Sequence, residues 1–295
     1  MPLFTDQTFP PNWQSAALSR SLSFEIDSAY TGQRYRILLG LPHQAPEPAG
    51  YPVLWALDGQ ASLPIMEFAR PKPVTGEESP QWRARVGEQA ALLIVAIAYA
   101  SGEPIDVHAR ALDYTPQIAG AGDAFSPRHG GAAAFLSFLT QELRPLLAQH
   151  FAMDARRHTL FGFSYGGLFT LHTLSTAPQY FQRYWAASPS LWFGNHHTLS
   201  QLPLRLDQLK SQFSQADWQV MITVGAQEQD PPSDAAAALQ QKLAERRMVD
   251  SAERFAQTLN EAGIATEYQC LPAHDHYDML MHGARRVVDF ASRSR

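Results

Sequence analysis

Short, continuous apolar runs alternate along this chain with longer segments in which apolar residues recur at helical spacing. A run of about five apolar residues is typical of a strand that is covered on both faces, as in a parallel sheet. This alternation predicts an α/β fold with a mostly parallel central sheet and helices on both faces. The predicted strands of this sheet span residues 53–57, 92–98, 159–163, 220–224 and 266–271, and the clearest predicted helices span 132–151, 168–174, 233–262 and 279–291.

The beginning of the chain follows a different pattern. Residues 21–27 and 33–41 are predicted to be two strands joined by a turn at 30–32, which makes an N-terminal antiparallel hairpin. Residues 1–20 contain prolines and aromatic residues without a clear period, and we predict an arm that packs on the body. No repeat or interdomain linker is visible, so we expect a single domain over 1–295.

Two long segments are predicted to form the walls of a substrate pocket. Residues 101–131 are rich in glycine and proline, and residues 188–213 carry Trp192 ahead of a short helical pattern. Loops of such length are uncommon unless they are functional. We place both at the carboxyl edge of the sheet, where ligands bind in open α/β sheets.

The most informative motif follows the predicted strand 159–163. The sequence Gly162-Phe163-Ser164-Tyr165-Gly166 has the form G-x-S-x-G, and a helical pattern begins at once after it. In the nucleophile elbow of serine hydrolases, the serine lies on a strained turn between a strand and a helix. We expect both flanking glycines to be required because a Cβ there would collide with the neighbouring strand and helix. Ser164 is therefore the predicted nucleophile.

A serine hydroxyl needs a base, and the base needs a partner that fixes its tautomer. In hydrolases with this elbow, the acid and then the histidine follow the serine, each after a later strand. Glu228 or Asp230, after the strand 220–224, could supply the acid, and we prefer Glu228 because it lies closer to the strand. Of the two histidines after the last strand, we prefer His276 to His274 because it lies nearer the next helix.

The oxyanion of the reaction needs two preorganised donors. We expect one to be the backbone N–H of Tyr165, and the other to be the N–H of Gln60 or its neighbour, in the turn after the strand 53–57. A competing interpretation is that His274, Asp275, His276 and Asp278 form a metal cluster. These residues are too crowded in sequence to assemble a site alone, so we predict neither a metal nor an organic cofactor.

Composition and charge exclude several classes of function. Apolar residues make up 45% and charged residues 17% of the chain, which indicates a folded rather than a disordered protein. The net charge of −5 does not indicate a surface that binds nucleic acid. The longest apolar run, 90–100, is too short to span a bilayer. The expected partner is therefore a small-molecule substrate, with no nucleic acid and no membrane. Whether the protein is a monomer or a homodimer stays open.

The single cysteine and the first residues bear on the compartment. Cys270 cannot form an internal disulfide, and its place in the strand 266–271 predicts a buried structural thiol rather than a nucleophile. Residues 1–6 lack a basic patch followed by an apolar core, so we expect no signal peptide. This favours a cytoplasmic protein, with the periplasm left open in case a leader has been removed.

With these residues in view, the chain resembles the putative-esterase branch of the α/β-hydrolases, and within it the siderophore esterases that cleave enterobactin-type trilactones. The elbow is common to many esterases, so other segments carry the more specific resemblance. These segments are L-D-G-Q at 57–60, R-A-L-D-Y-T-P at 110–116 and S-P-S-L-W at 188–192. The resemblance implies an α/β-hydrolase fold.

The resemblance also implies roles for individual residues. Ser164 would attack a lactone carbonyl, His276 would be its base, and Arg110 would contact an anionic ferric catecholate on the pocket wall. Alternatively, Arg110 only holds the loop around Asp113 in place by an ion pair. One departure is Tyr277, because the histidine of the family is commonly followed by a small residue. Some members resemble a Ser–His dyad, in which case Glu228 would be dispensable.

The function expected from these residues is hydrolysis of the ester or lactone backbone of a siderophore through an acyl-serine intermediate, which releases iron. The first alternative keeps the chemistry and changes the substrate. It is a general carboxylesterase or thioesterase, acting on feruloyl or S-formylglutathione-type esters. The second alternative is a non-catalytic ligand-binding protein on a hydrolase scaffold.

Overall fold

A twisted sheet of eight strands forms the centre of the protein, described here from a computed structural model that covers residues 18–70, 79–122, 127–213 and 218–293. The strands lie in the order β1-β2-β4-β3-β5-β6-β7-β8. Their bounds are β1 Ser21–Asp27, β2 Arg34–Gly40, β3 Tyr51–Ala56, β4 Leu93–Tyr99, β5 Met153–Phe163, β6 Arg183–Ala187, β7 Gln219–Gly225 and β8 Thr266–Leu271. The predicted N-terminal hairpin is confirmed, since β1 pairs antiparallel with β2 and Gly32 adopts a φ of 67° in the turn.

The pairing of the remaining strands confirms the predicted mostly parallel sheet. β2 pairs antiparallel with β4, whereas every pair from β4 through β3, β5, β6 and β7 to β8 is parallel. The carboxyl ends of these parallel strands therefore meet at one edge of the sheet. Loops and helix N-termini that follow them converge there.

Helices cover both faces of the sheet, as predicted. Their bounds are α1 Gly59–Ala69, α2 Pro80–Ala90, α3 Val107–Tyr114, α4 Ala132–Ser137, α5 Arg144–Ala148, α6 Tyr165–Thr176, α7 Phe193–Gln201, α8 Leu206–Phe213, α9 Ala237–Arg246, α10 Met248–Glu261 and α11 His276–Ser292. Residues 138–143, between α4 and α5, form a π-helical segment. None of the helices in the described part of the chain is long and apolar enough to cross a membrane.

Alternate side chains of the central strands enter two separate cores, because successive residues of a strand face opposite sides of a sheet. On β3, Val53 and Trp55 belong to one core, which also contains side chains of α4, α6 and α10, whereas Leu54 and Ala56 belong to the other, which contains side chains of α1 and α11. Complete burial of a large apolar side chain contributes about 1.5–3 kcal/mol. These cores hold β3 and β5 in place, and the candidate site lies at the ends of these two strands.

Several elements were not predicted from the sequence. The strand β6 has only five residues and begins with an arginine, whose guanidinium reaches the carbonyls of Phe290 and Ala291 at the end of α11. The helix α1 begins directly after a strand without a side-chain cap and contains Pro64. The helix α2 is largely polar. In each case the tertiary context overrides a weak local signal.

The long helix predicted over 233–262 is two helices. The chain breaks between α9 and α10 at Arg247, which adopts a φ of 47°, in the left-handed region. The predicted helix 279–291 is confirmed but begins earlier, at His276, where Asp275 caps it. This earlier start places a histidine in the first turn of α11.

The two segments predicted to form pocket walls contain helices. Residues 101–131 include α3, with 123–126 outside the described residues, and residues 188–213 include α7 and α8. They follow β4 and β6, so both leave the carboxyl edge of the sheet. Residues 1–17 of the predicted arm lie outside the described residues.

The prediction that Cys270 is a buried structural thiol is wrong. The cysteine is exposed. It lies on β8, which is at the edge of the sheet formed by the described residues and pairs there with β7. Partial burial raises the pKa of the thiol above its usual value. A raised pKa disfavours the thiolate, which is the reactive form of cysteine.

Candidate functional site

The elbow has the strained geometry that the motif predicts. Ser164 adopts φ 58° and ψ −116° between the end of β5 and the start of α6. A positive φ is rare for a residue other than glycine and signals strain of about 1–3 kcal/mol. The turn presents the serine hydroxyl at the carboxyl edge of the sheet.

The glycines around Ser164 are required to different degrees. A Cβ on Gly162 would lie 2.1 Å from the carbonyl oxygen of Gly166, and one on Gly167 would lie 2.8 Å from that of Ala187. A Cβ on Gly166 would approach the Leu57 side chain only to 3.4 Å. The requirement at Gly162 is thus confirmed, whereas the second essential glycine is Gly167 rather than Gly166.

His276 lies next to the nucleophile. Its Nε2 atom is 3.1 Å from the Oγ atom of Ser164. Its place as the first residue of α11 is defined by a capping box, in which the Asp275 carboxylate accepts the N–H groups of Tyr277 and Asp278, and the Asp278 carboxylate accepts the N–H of Asp275. The exposed ring of Tyr277 lies beside that of His276 without displacing it.

Glu228 lies on the other side of the imidazole. Its Oε2 atom is 2.5 Å from Nδ1 of His276, and the residue is only 2% exposed. Because Nδ1 faces a carboxylate, it carries the proton, which leaves Nε2 as an acceptor toward Ser164. The structure thus brings the predicted serine, histidine and acid into one hydrogen-bonded chain.

The alternative base and acid lie elsewhere. Nδ1 of His274 is 2.7 Å from the carbonyl oxygen of Pro272, and the backbone carbonyl of His274 accepts the N–H of Gln227. Asp230 is exposed. Asp275 and Asp278 are engaged in the capping box, and within the described residues no group of three or more potential ligands could hold a metal ion.

Two further serines, for which the sequence predicted no role, contact the hydrogen-bonded chain of Ser164, His276 and Glu228. The hydroxyl of Ser188 donates to Oε1 of Glu228 at 2.6 Å, and the N–H of Gly225 donates to the same oxygen at 2.8 Å. Oγ of Ser190 is 3.3 Å from Oγ of Ser164. Both serines are buried, and Ser188 adopts a φ of 45°. The available signal was a pair of hydroxyls around a proline, but the short strand before them had not been predicted.

Replacing Ser188 with alanine should lower kcat about tenfold or more, with little change in KM. The substitution removes one of the two donors to Oε1 of the buried Glu228 carboxylate, and hydrogen bonds to charged groups contribute about 1.5–3 kcal/mol. Steady-state kinetics on an aryl ester measure the effect. Unchanged kcat in Ser188→Ala would contradict a positioning role for this serine.

The turn after β3 lies against the elbow. Asp58 adopts a φ of 52°, and α1 begins at the next residue. A Cβ on Gly59 would lie 2.7 Å from the backbone of Ala96, so the turn fits closely against β4. Tyr165 is the first residue of α6, and Gln60 is the second residue of α1. These two helices follow the neighbouring strands β5 and β3. The N-termini of both helices therefore meet at this edge, where first-turn N–H groups favour negative charge.

Arg110 joins this turn to the elbow. Its guanidinium donates to both carboxylate oxygens of Asp58, at 2.8 and 2.9 Å, and to the carbonyl of Phe163 at 2.8 Å. Burial lowers the pKa of Arg110, but the adjacent Asp58 carboxylate more than offsets this effect. The side chain is 7% exposed. Arg110 thus lies beneath the site rather than on the pocket wall, and its partner is Asp58 rather than Asp113.

Asp113 belongs to a separate buried network. Its carboxyl group accepts hydrogen bonds from Tyr35 and Tyr99 at 2.8 and 3.1 Å, and from Gln33 at 2.7 Å. Burial raises the pKa of Asp113 to about 6, although these hydrogen bonds lower it. The hydroxyl of Tyr114, one residue further on, accepts the N–H of Asp58 at 3.3 Å. The segment 110–114 therefore holds the turn after β3 through two side chains.

The raised pKa of Asp113 predicts a pH-dependent stability. A carboxyl group with a higher pKa in the folded chain stabilises the fold below its unfolded pKa, and this contribution is lost as the pH rises through 6. Between pH 4 and pH 8, wild-type protein should lose about 2 kcal/mol relative to Asp113→Asn. Urea unfolding of both proteins at the two pH values measures the difference, and a constant pH-independent offset would contradict the prediction.

A cavity lies between the two predicted wall segments. It has a volume of about 320 Å³ and is lined by Ile118, Ala119, Gly120, Ala121, Gly122, Trp192, Phe193, Gly194 and Asn195. The ring of Trp192 is 5.8 Å from that of Tyr165, the residue after Ser164. The guanidinium of Arg246, at the end of α9, lies over the Trp192 ring at 4.1 Å. Trp192 therefore lies at this cavity, between an arginine and the elbow.

A mostly parallel sheet with an elbow after its central strand and helices on both faces defines an α/β-hydrolase. The family described as "Putative esterase" matches residues 28–263, and the chain belongs to this family of ester-hydrolysing enzymes.

Relatives whose names specify a function match this chain over more than half of its length. It is 29% identical to ferri-bacillibactin esterase BesA of Bacillus subtilis strain 168 over 280 residues, which cover 90% of this chain and 87% of BesA. It is 32% identical over 182 residues to the apo-salmochelin esterase of Escherichia coli O6:H1 strain CFT073, covering 60% of this chain and 53% of that protein. The crystal structure of the BES protein from Bacillus cereus superposes with a TM-score of 0.78 at 25% identity, covering 97% and 100% of the two chains.

Proposed function

We propose that the protein hydrolyses the ester bonds of a siderophore's lactone backbone, of the ferric catecholate trilactone type, and so releases iron. The observation that carries the proposal is the chain of contacts from Ser164 through His276 to the buried Glu228. The substrate class is supported by the relatives, whose names specify siderophore esters.

The first step is attack on a lactone carbonyl. The Oγ atom of Ser164 forms a bond to the carbonyl carbon while its proton passes to Nε2 of His276. The separation of 3.1 Å is within the range for such a transfer. Glu228 stabilises the imidazolium that forms and keeps its Nδ1–H toward the carboxylate.

The tetrahedral intermediate places negative charge on the former carbonyl oxygen. The N–H groups of Tyr165 and of Gln60 or its neighbour are suited to receive it, since they lie in the first turns of α6 and α1 on adjacent strands. Collapse of the intermediate expels the alcohol, which takes the proton from His276. Water then attacks the acyl-serine by the same route, with His276 again as base.

Product analysis tests the proposal directly. The protein is incubated with a catecholate trilactone, iron-loaded and iron-free, and in parallel with aryl and thioesters. Linear cleavage products from the trilactone at rates well above those for the simple esters would support a siderophore esterase. Efficient turnover of the simple esters alone would instead support the general carboxylesterase or thioesterase. A fluorophosphonate probe that forms no adduct with the protein at neutral pH would favour a non-catalytic binding protein.

A further inference from the structure

We propose that Tyr277 is a specificity-determining residue, whose exposed ring receives an aromatic group on the alcohol side of the ester bond that is cleaved. This inference rests on the proposed function, in which His276 gives its proton to the departing alcohol. It assigns a role to the residue at which the sequence departs from the family pattern.

The path of the proton defines the side on which the alcohol lies. Nε2 of His276 is 3.1 Å from Oγ of Ser164, and the proton that it takes from the serine passes next to the oxygen of the departing alcohol. That oxygen must come within hydrogen-bonding reach of Nε2. The alcohol portion of the substrate therefore lies beside the imidazole ring, whereas the acyl portion stays bonded to Ser164.

Two aromatic rings lie against the imidazole of His276. The centroid of the Phe163 ring is 4.6 Å away and Phe163 is buried, whereas that of the Tyr277 ring is 6.2 Å away and Tyr277 is 72% exposed. Nδ1 faces Glu228, and the imidazole side chain is still 37% exposed. A substrate group that covers the exposed part of the imidazole therefore meets Tyr277 rather than Phe163.

A second exposed apolar side chain extends the surface beside Tyr277. Met281 lies four residues further along α11 and is 57% exposed. Side chains at this spacing are neighbours on one face of a helix. Aromatic groups pack favourably against both a phenol ring and a thioether sulfur. The first turns of α11 thus offer a surface for an aromatic group directly next to His276.

The proposed substrate carries an aromatic group at the required place. A catecholate trilactone joins three units by ester bonds, and each unit bears its own catechol ring. The alcohol that departs from Ser164 in the first cleavage belongs to the neighbouring unit, and it carries the ring of that unit. This ring is the group that the surface beside His276 would receive.

The backbone of Tyr277 is held independently of its side chain. Its N–H donates to the Asp275 carboxylate at 2.8 Å, within the capping box that starts α11. A substitution that keeps this N–H leaves the cap intact, and truncation of an exposed side chain usually costs little stability. We therefore expect the start of α11, and His276 with it, to keep its place when the side chain of Tyr277 is changed.

Two isomeric esters separate the alcohol side from the acyl side. The compound 2-phenylethyl acetate carries its ring on the alcohol, and ethyl phenylacetate carries it on the acyl group. We expect Tyr277→Ala to lower kcat/KM about tenfold for the first ester and less than about twofold for the second, because an aromatic contact is lost only on the alcohol side. Tyr277→Phe keeps the ring and should stay within about twofold of wild type on both.

A matched control and a second pair of substrates complete the test. Phe68→Ala removes an exposed ring from the last turn of α1, about 14 Å along the helix from its first residue, and should leave both values unchanged. Trilactones with benzoyl arms and with acetyl arms extend the comparison to the proposed substrate. The loss in Tyr277→Ala should be confined to the benzoyl form, because acetyl arms have no ring to lose.

Three results would overturn the inference. Equal losses on both members of either pair would mean that Tyr277 acts by positioning His276. A larger loss on ethyl phenylacetate would place the aromatic group on the acyl side. Unchanged values on the esters and on the benzoyl trilactone would mean that the substrate does not reach this surface. Failure of wild-type protein to cleave any trilactone, with both simple esters cleaved, would instead overturn the proposed function.

Discussion

Replacing Ser164 with alanine is expected to lower kcat by at least about 10⁴-fold, because removal of a triad serine leaves only the oxyanion donors and substrate binding. The substitution should also abolish the fluorophosphonate adduct. Folding should be retained, since alanine loses only an oxygen atom. Steady-state kinetics on the trilactone and on an aryl ester, together with mass spectrometry of the probe-treated protein, measure both effects.

The chain offers a matched control for this experiment. Ser190 places a second hydroxyl 3.3 Å from that of Ser164, so Ser190→Ala removes the same group from the same site. This variant should keep the adduct on Ser164 and lose less than about tenfold in kcat, as expected for the loss of one neutral hydrogen bond. If the adduct disappeared in Ser190→Ala and persisted in Ser164→Ala, the nucleophile would be Ser190 and the assignment of Ser164 would be wrong.

The second large effect is expected at Arg110. Arg110→Met leaves the Asp58 carboxylate buried without its cation, which should destabilise the fold by about 3–5 kcal/mol. The turn after β3 should also lose its link to the carbonyl of Phe163, so kcat should fall on simple and complex esters alike. Urea unfolding and kinetics on both substrates measure the two losses.

A double variant separates the effect of the unpaired Asp58 charge from the effect of losing the contacts of Arg110. Arg110→Met combined with Asp58→Asn removes both buried charges, so most of the lost stability should return while kcat stays low. If Arg110 instead contacted the substrate, the single variant would lose activity only on the anionic siderophore and would keep its activity on simple esters. That outcome would contradict the positioning role that the ion pair indicates.

The parts of the site that could be predicted depend on local signals. Ser164 follows a short apolar run and precedes a helical pattern, so the strand, the turn and the helix are all visible within about fifteen residues. His276 directly follows a capping aspartate at the start of the last helix. Glu228 lies three residues after the end of β7, close enough for its place to follow from the predicted strand.

Other contacts could not be predicted because they depend on packing between distant segments. Asp58 is separated from Arg110 by 52 positions, and its left-handed backbone leaves no clear local signal. The contact of Ser188 with Glu228 depends on β6, a strand too short and too polar at its start to be recognised. The exposure of Cys270 depends on which strand forms the edge of the sheet, which is a property of strand order.

The backbone conformation of Ser164 restricts how this chain could adapt to higher temperature. Glycine would accept its torsion angles without penalty but would eliminate the hydroxyl, whereas every residue able to act as a nucleophile keeps the conformational penalty. Selection for thermal tolerance must therefore act at positions other than the elbow. Variants with improved heat resistance and intact turnover should accumulate their changes in the two cores and on the outer helices.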